Sequence, residues 1–186
     1  MGANGGLEAG LFSERNPDVA IPVPFMKSRL LRWTVVIGLL MSGLSGAQES
    51  ASAWQGIGVD NKPIRFDPDH MQRPAVLLFW ATWCPYCKAL MPFVQKVLDA
   101  AGHERLDVYA IDIKEDDDAD PAGELRQRGL TFTLVRDGDS IAAEYGVKGT
   151  PGLVLVDTHG RVIYRRIGGE SPEKVEAALR ERLRLH

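Results

Sequence analysis

Two cysteines, Cys84 and Cys87, stand three residues apart in a chain of 186 residues that holds no others. Thiols at that spacing can cycle between dithiol and disulfide, or supply half of a metal site. The flanking residues decide between these. Before the pair runs Ala75-Val76-Leu77-Leu78-Phe79-Trp80, an apolar run rich in strand formers, as expected of a strand buried on both faces. After it, Leu90, Met91, Val94, Val97, Leu98 and Ala101 recur at helical spacing and line one face. Pro85 falls in the first turn of that helix, where its missing N–H costs nothing. Cys84 is therefore expected at a helix N-terminus, where free amides and the positive end of the macrodipole favour thiolate over thiol. Cys87 lies one turn further in, near enough to close a disulfide.

The competing chemistries fit less well. Haem attachment needs a histidine directly after the second cysteine, and Lys88 stands there. A zinc site draws on four ligands, and His70, His103, His159 and His186 are scattered without ligand spacing. No metal and no cofactor are expected. A disulfide closing so short a loop is also a poor structural staple. The pair reads as a redox centre.

With 45% apolar and 25% charged residues, the chain has ordinary globular usage and the length for one domain with a proper core. A net charge of -3 gives no basic footprint, so no nucleic acid is expected as partner.

The N-terminus reads as targeting sequence. Residues 1–25 are rich in Gly, Pro and Asn without periodicity, which predicts a disordered or mis-annotated extension. Residues 26–47 read as a signal peptide: the basic Met26-Lys27-Ser28-Arg29-Leu30-Leu31-Arg32, the apolar Trp33–Leu44, then the small residues Ser45-Gly46-Ala47. Met26 is then a candidate for the true start. Membrane contact is expected only if this segment stays uncleaved, since a span usually needs ~20 apolar residues. Residues 48–186 would form the mature domain in an oxidising, periplasmic compartment.

Along that domain, Trp54–Val59 and Pro63–Phe66 around Asp60-Asn61-Lys62 predict a small hairpin. Pro92 should bend the active-site helix, and Gly102 should end it. Leu106–Asp112 reads as a second core strand. The acidic run Lys114–Asp120 reads as a solvated loop. A helix Pro121–Arg128 capped by Asp120, a strand Thr131–Val135 and a short helix Ser140–Tyr145 follow. Leu153–Val156, a turn at Thr158-His159-Gly160-Arg161 and Val162–Ile167 make the last strands. Ser171-Pro172 opens a final helix carrying Val175, Ala178, Leu179 and Leu183 on one face. This order points to an α/β fold with a mixed sheet flanked by helices.

Trp80-Ala81-Thr82-Trp83-Cys84-x-x-Cys87, the helix with Pro92 and the later Gly149-Thr150-Pro151 resemble the thioredoxin fold, and within it the secreted TlpA/ResA-like thiol–disulfide oxidoreductases. The resemblance covers roughly Trp54 to Leu183, with the strand-helix segment between Asp112 and Gly149 similar to the central insertion of that branch. It implies that Pro151 is cis, packs beside the cysteines and presents the Thr150 backbone to a substrate strand. It also exposes two departures. Leu78 stands where thioredoxins carry a buried Asp, and Leu90 where many TlpA-like proteins carry a Glu; both acids are linked in the family to proton transfer at the second cysteine.

Catalysis is thus assigned to Cys84 as attacking sulfur and Cys87 as resolving sulfur. Trp83, Tyr86, Thr150 and Pro151 are the expected substrate contacts, with Pro85 and Pro92 as structural support. Trp80 reads as core. Lys88 could favour the thiolate or simply be solvated. The reading is a periplasmic reductase of protein disulfides. The resemblance suggests apocytochrome c or other secreted thiol proteins as substrates, and a membrane reductase as electron donor. The alternatives are an oxidase or isomerase using the same pair, and a thiol-independent binding module; the intact cysteines argue against the latter.

Overall fold

The computed structural model describes residues 48–166 and 169–185. The expected extension (1–25) and signal peptide (26–47) lie outside these residues, as does Ile167 at the end of the last expected strand. Among the described residues no helix is long and apolar enough to cross a membrane.

The fold is built on β3 (Ala75–Trp80), whose six residues are all 0% exposed. It can be buried on both faces because neighbours flank it and layers cover it on each side. β4 (Asp107–Asp112) pairs with it in parallel, from Ala75↔Asp107 to Trp80↔Asp112. β6 (Gly152–Val156) pairs antiparallel on the other edge, with Gly152 opposite Phe79. β5 (Thr133–Val135) extends the sheet beyond β4 in parallel, and β7 (Val162–Arg165) beyond β6 antiparallel. The order is β5-β4-β3-β6-β7, a mixed sheet as the sequence predicts. A separate hairpin, β1 (Trp54–Ile57) with β2 (Pro63–Phe66), precedes it.

The strand period of two divides the core. Val76, Leu78 and Trp80 face α1 (Pro85–Ala101) and α4 (Pro172–Leu183) in one cluster. Ala75, Leu77 and Phe79 face the hairpin and α3 (Asp139–Glu144) in the other, where Trp54 stacks on Phe66 at 5.2 Å. The segment between Asp112 and Gly149 contributes α2 (Pro121–Gln127), β5 and α3.

The apolar face expected of α1 is the one that is buried: Leu90, Met91, Val94, Val97, Leu98 and Ala101, with Cys87 in its first turn. Burying a side chain of this size is worth ~1.5–3 kcal/mol, so this face fixes α1 against β3. Pro92 sits on the exposed side, and α1 runs as one element through it. Gly102 closes α1 at φ 86, its N–H donating to the Leu98 carbonyl at 2.7 Å. The Asp120 carboxylate caps α2 through the Gly123 N–H at 2.8 Å.

Candidate active site

β3 delivers the chain at Trp80 to the turn Ala81-Thr82-Trp83, and α1 begins directly after Cys84. Cys84 is the N-cap residue, with φ -85 and ψ 107, and its Sγ accepts the Cys87 N–H at 3.1 Å. The sulfur occupies the place a Ser or Asp oxygen takes in an ordinary cap. The same amide would donate to a Cys84 thiolate, which supplies the stabilisation expected at a helix N-terminus. The structure holds the oxidised pair, a Cys84–Cys87 disulfide with Cα atoms 5.3 Å apart.

Cys84 is only 2% exposed and Cys87 0%, but the residues around them are open: Trp83 is 52% exposed and Tyr86 75%. Two large apolar side chains at the surface beside a covered sulfur make a rim on which another protein can lie. Thr150–Pro151 is a cis peptide. Because Gly152 pairs with Phe79, this peptide lies at the end of the sheet where β3 hands over to the cysteine turn. The Pro151 carbonyl accepts from Arg166 Nη1 at 2.9 Å.

Leu78 (0%) and Leu90 (2%) are buried in the same apolar cluster as Cys84 and Cys87. The two positions where an acid could serve the second cysteine are therefore filled by hydrocarbon. Lys88 is not free to act on the sulfur as an unpaired cation, since its Nζ lies 3.1 Å from Glu124 of α2. Arg128 shares that carboxylate at 2.7 Å, and the two cations hold Glu124 below the usual carboxylate range. Among the described residues no group of three or more His, Cys, Asp or Glu side chains is placed to hold a metal ion.

A thioredoxin-like domain model matches residues 69–183, the stretch from just before β3 to the end of α4. The chain belongs to the thioredoxin-like family. Among its relatives is the thiol-disulfide oxidoreductase ResA of Bacillus thuringiensis, 27% identical over 175 residues covering 84% of this chain and 98% of that protein. A thiol:disulfide interchange protein DsbE homolog of Paracoccus denitrificans is 31% identical over 109 residues, 56% of this chain and 58% of that one. A crystal structure of a thioredoxin family thiol:disulfide interchange protein from Chlorobium tepidum shares the fold, with a TM-score of 0.62 at 18% identity over 74% of this chain and 98% of that one. This thioredoxin-like protein is a thiol–disulfide oxidoreductase.

The thioredoxin-like frame puts the expected site residues Trp83, Cys84, Pro85, Tyr86, Cys87, Thr150 and Pro151 at one end of the sheet; Pro92 lies two turns along α1, on its outer side. It also brings in residues the sequence reading missed. Glu115, placed in a solvated loop, accepts from the Thr82 N–H and hydroxyl, both at 2.6 Å. The Lys114 carbonyl accepts from Trp83 Nε1 at 2.8 Å. The signal was present in the strand lengths. If Trp80 and Asp112 end parallel neighbours, the residues just beyond them must meet.

Asp112 is the second omission, the one buried charged residue among those described, at 4% exposure. Burial pushes its carboxyl up to about 6, and the Asp137 N–H, donating at 2.8 Å, only partly opposes this. Unfolded, the group loses its proton near pH 4; folded, it keeps it until about 6. Between those values the native state carries the extra proton, so stability falls as pH rises through the window and stays lower above it. Asp112→Asn retains an acceptor for Asp137 and removes the charge. It is expected to abolish that decline and to stabilise the protein at pH 7 by on the order of 2 kcal/mol in urea unfolding. A variant that kept the wild-type pH profile would show that Asp112 ionises as readily in the fold as outside it.

Proposed function

We propose that this oxidoreductase works as a reductase of disulfides in secreted proteins, with Cys84 as nucleophile. The Cys84 thiolate attacks one sulfur of the substrate disulfide. A Cys84–substrate disulfide forms, and the other substrate sulfur leaves as thiolate. Cys87, deprotonated, then attacks the Cys84 sulfur, closing the intramolecular disulfide and expelling the second substrate thiolate. Two electrons pass from the pair to the substrate, and the pair must be re-reduced by a donor dithiol. The substrate lies on the rim of Trp83 and Tyr86 with its strand along Thr150–Pro151, and Pro85 starts the helix that activates the sulfur.

The observation that supports the direction is that the helix terminus stabilises the thiolate without added charge from Lys88. Cys84 Sγ receives the Cys87 amide, but Lys88, the cation nearest it in sequence, is paired with Glu124. A pair whose thiolate is weakly stabilised favours its disulfide and gives up electrons readily; a strong oxidant has the opposite balance. The basic, apolar and small-residue succession of 26–47 supports export, so the work would be done outside the cytoplasm. Such a compartment reoxidises exposed dithiols, which makes a membrane reductase the natural donor and secreted thiol proteins such as apocytochrome c the natural substrates.

The equilibrium between the pair and glutathione or dithiothreitol tests this reading. The expected potential lies near the thioredoxin end, about -270 mV, rather than the oxidant end near about -120 mV. A value at the oxidant end would make the protein an oxidase that uses the same sulfurs.

A further inference from the structure

Three consecutive residues beyond β4 hold the chain that runs into Cys84. The Ile113 N–H donates to the Trp80 carbonyl at 2.9 Å. The Lys114 carbonyl takes the Trp83 indole N–H. Glu115 takes both donors of Thr82, the N–H at Oε1 and the hydroxyl at Oε2. The parallel ladder of β3 and β4 ends at Trp80↔Asp112, and these contacts continue it past the strands. Lys114 makes the turn at φ 55, with its N–H 3.3 Å from Asp139 Oδ2. Its Nζ donates at 3.2 Å to the carbonyl of Lys148, two residues before Thr150. The segment thereby contacts both the cysteine turn and the loop that ends in the cis-proline.

We propose that Glu115 is a positioning residue for thiol–disulfide exchange: its carboxylate fixes Thr82 and, through it, the place of the Cys84 sulfur and the Trp83 ring relative to a protein substrate. The proposal rests on Cys84 being the attacking sulfur. Thr82 lies in a turn, two residues past the last strand residue, and has no ladder of its own to order it. Hydrogen bonds to a carboxylate are about twice as strong as neutral ones, and two of them converge on this single residue. Without them the turn is held more loosely, by the Cys84 N–H bond to the Ala81 carbonyl and the Trp83 indole bond, and ordering it when a substrate binds costs affinity. A small disulfide touches only the sulfur and escapes that cost.

The test is exchange kinetics of the full chain with a folded protein disulfide and with a small aromatic disulfide. Exchange is followed in both directions, so an oxidase would report on Glu115 as well as a reductase. Glu115→Ala is expected to raise KM for the protein disulfide about tenfold, with the small-disulfide rate changed less than about twofold. Thr82→Val, which removes the hydroxyl bond and leaves the N–H bond, should raise KM in the same direction by a smaller factor, and serves alone if the alanine variant fails to fold. The double variant should be no worse than Glu115→Ala alone, because that variant already removes both bonds to Thr82. Glu115→Gln, which keeps an acceptor for the Thr82 N–H, should recover most of the loss. An unchanged KM in Glu115→Ala, losses that multiply in the double variant, or a parallel fall with the small disulfide would overturn the proposal. Alkylation of the reduced wild type identifies the attacking sulfur separately. Label falling first on Cys87 would overturn the assignment of roles, and the proposal with it, and is distinct from an unchanged KM.

Discussion

Cys84→Ser is expected to reduce protein disulfides no faster than the buffer does, with the fold unchanged. The loss should be complete because a hydroxyl is not a sulfur nucleophile and cannot form a mixed disulfide. The fold should survive for reasons visible at the helix start. Cys84 caps α1 through its side chain, and serine is among the best residues at that position, so its oxygen can take over the Cys87 N–H. The lost disulfide closes a loop of only three residues' separation and constrains the unfolded chain little. The variant should therefore melt close to the reduced wild type, and insulin reduction should separate the two completely. Cys87→Ser completes the experiment. With nothing left to resolve the mixed disulfide, it should accumulate substrate adducts through Cys84 that collapse on reduction. Adducts formed through Cys87 in Cys84→Ser would reverse the two roles.

How far the sequence carried this assignment depends on the range over which each signal acts. The cysteine pair, its strand and its helix were legible because periodicity and capping are local. Six apolar residues at helical spacing identify the buried face of α1, and Pro85 and Gly102 mark its ends. The hairpin and the Ser171-Pro172 start of α4 were readable for the same reason. What was not legible is what the parallel ladder brings together. Thr82 and Glu115 are 33 residues apart, and nothing local to either marks it as a partner. An acidic run is a solvated loop in most settings, and Asp116, Asp117 and Asp118 of this run are indeed exposed. Glu115 differs only because the strands end in register beside it. Lys88 and Glu124 give the same lesson. Whether Lys88 is solvated or engaged turns on where α2 docks, and α2 is a short helix whose position comes from packing of Leu125 rather than from any motif.

The larger consequence of the buried site lies in the second half of the cycle. Leu90→Glu is expected to speed release of the mixed disulfide at neutral pH, with less effect on the initial attack. Cys87 is 0% exposed and sits in one apolar cluster with Leu78 and Leu90. Such surroundings raise a thiol's pKa, leaving little thiolate to attack Cys84. A carboxylate at position 90 is one helical turn from Cys87, on the same buried face of α1. General-base assistance of this kind is typically worth ~10²–10⁴-fold. An introduced glutamate is itself desolvated there, which raises its own pKa toward neutrality and makes it a better-matched base. The gain should accordingly appear as pH rises through that raised pKa, and level off once the wild-type thiol ionises unaided. Burying the acid also costs stability, so the comparison needs Leu90→Gln, which imposes the same polar group without a proton to exchange. Stopped-flow kinetics separate attack from release. Faster release in Leu90→Glu than in Leu90→Gln assigns the slow step to proton removal from Cys87. Equal rates in the two folded variants would instead place the limit in the movement that brings Cys87 onto the Cys84 sulfur.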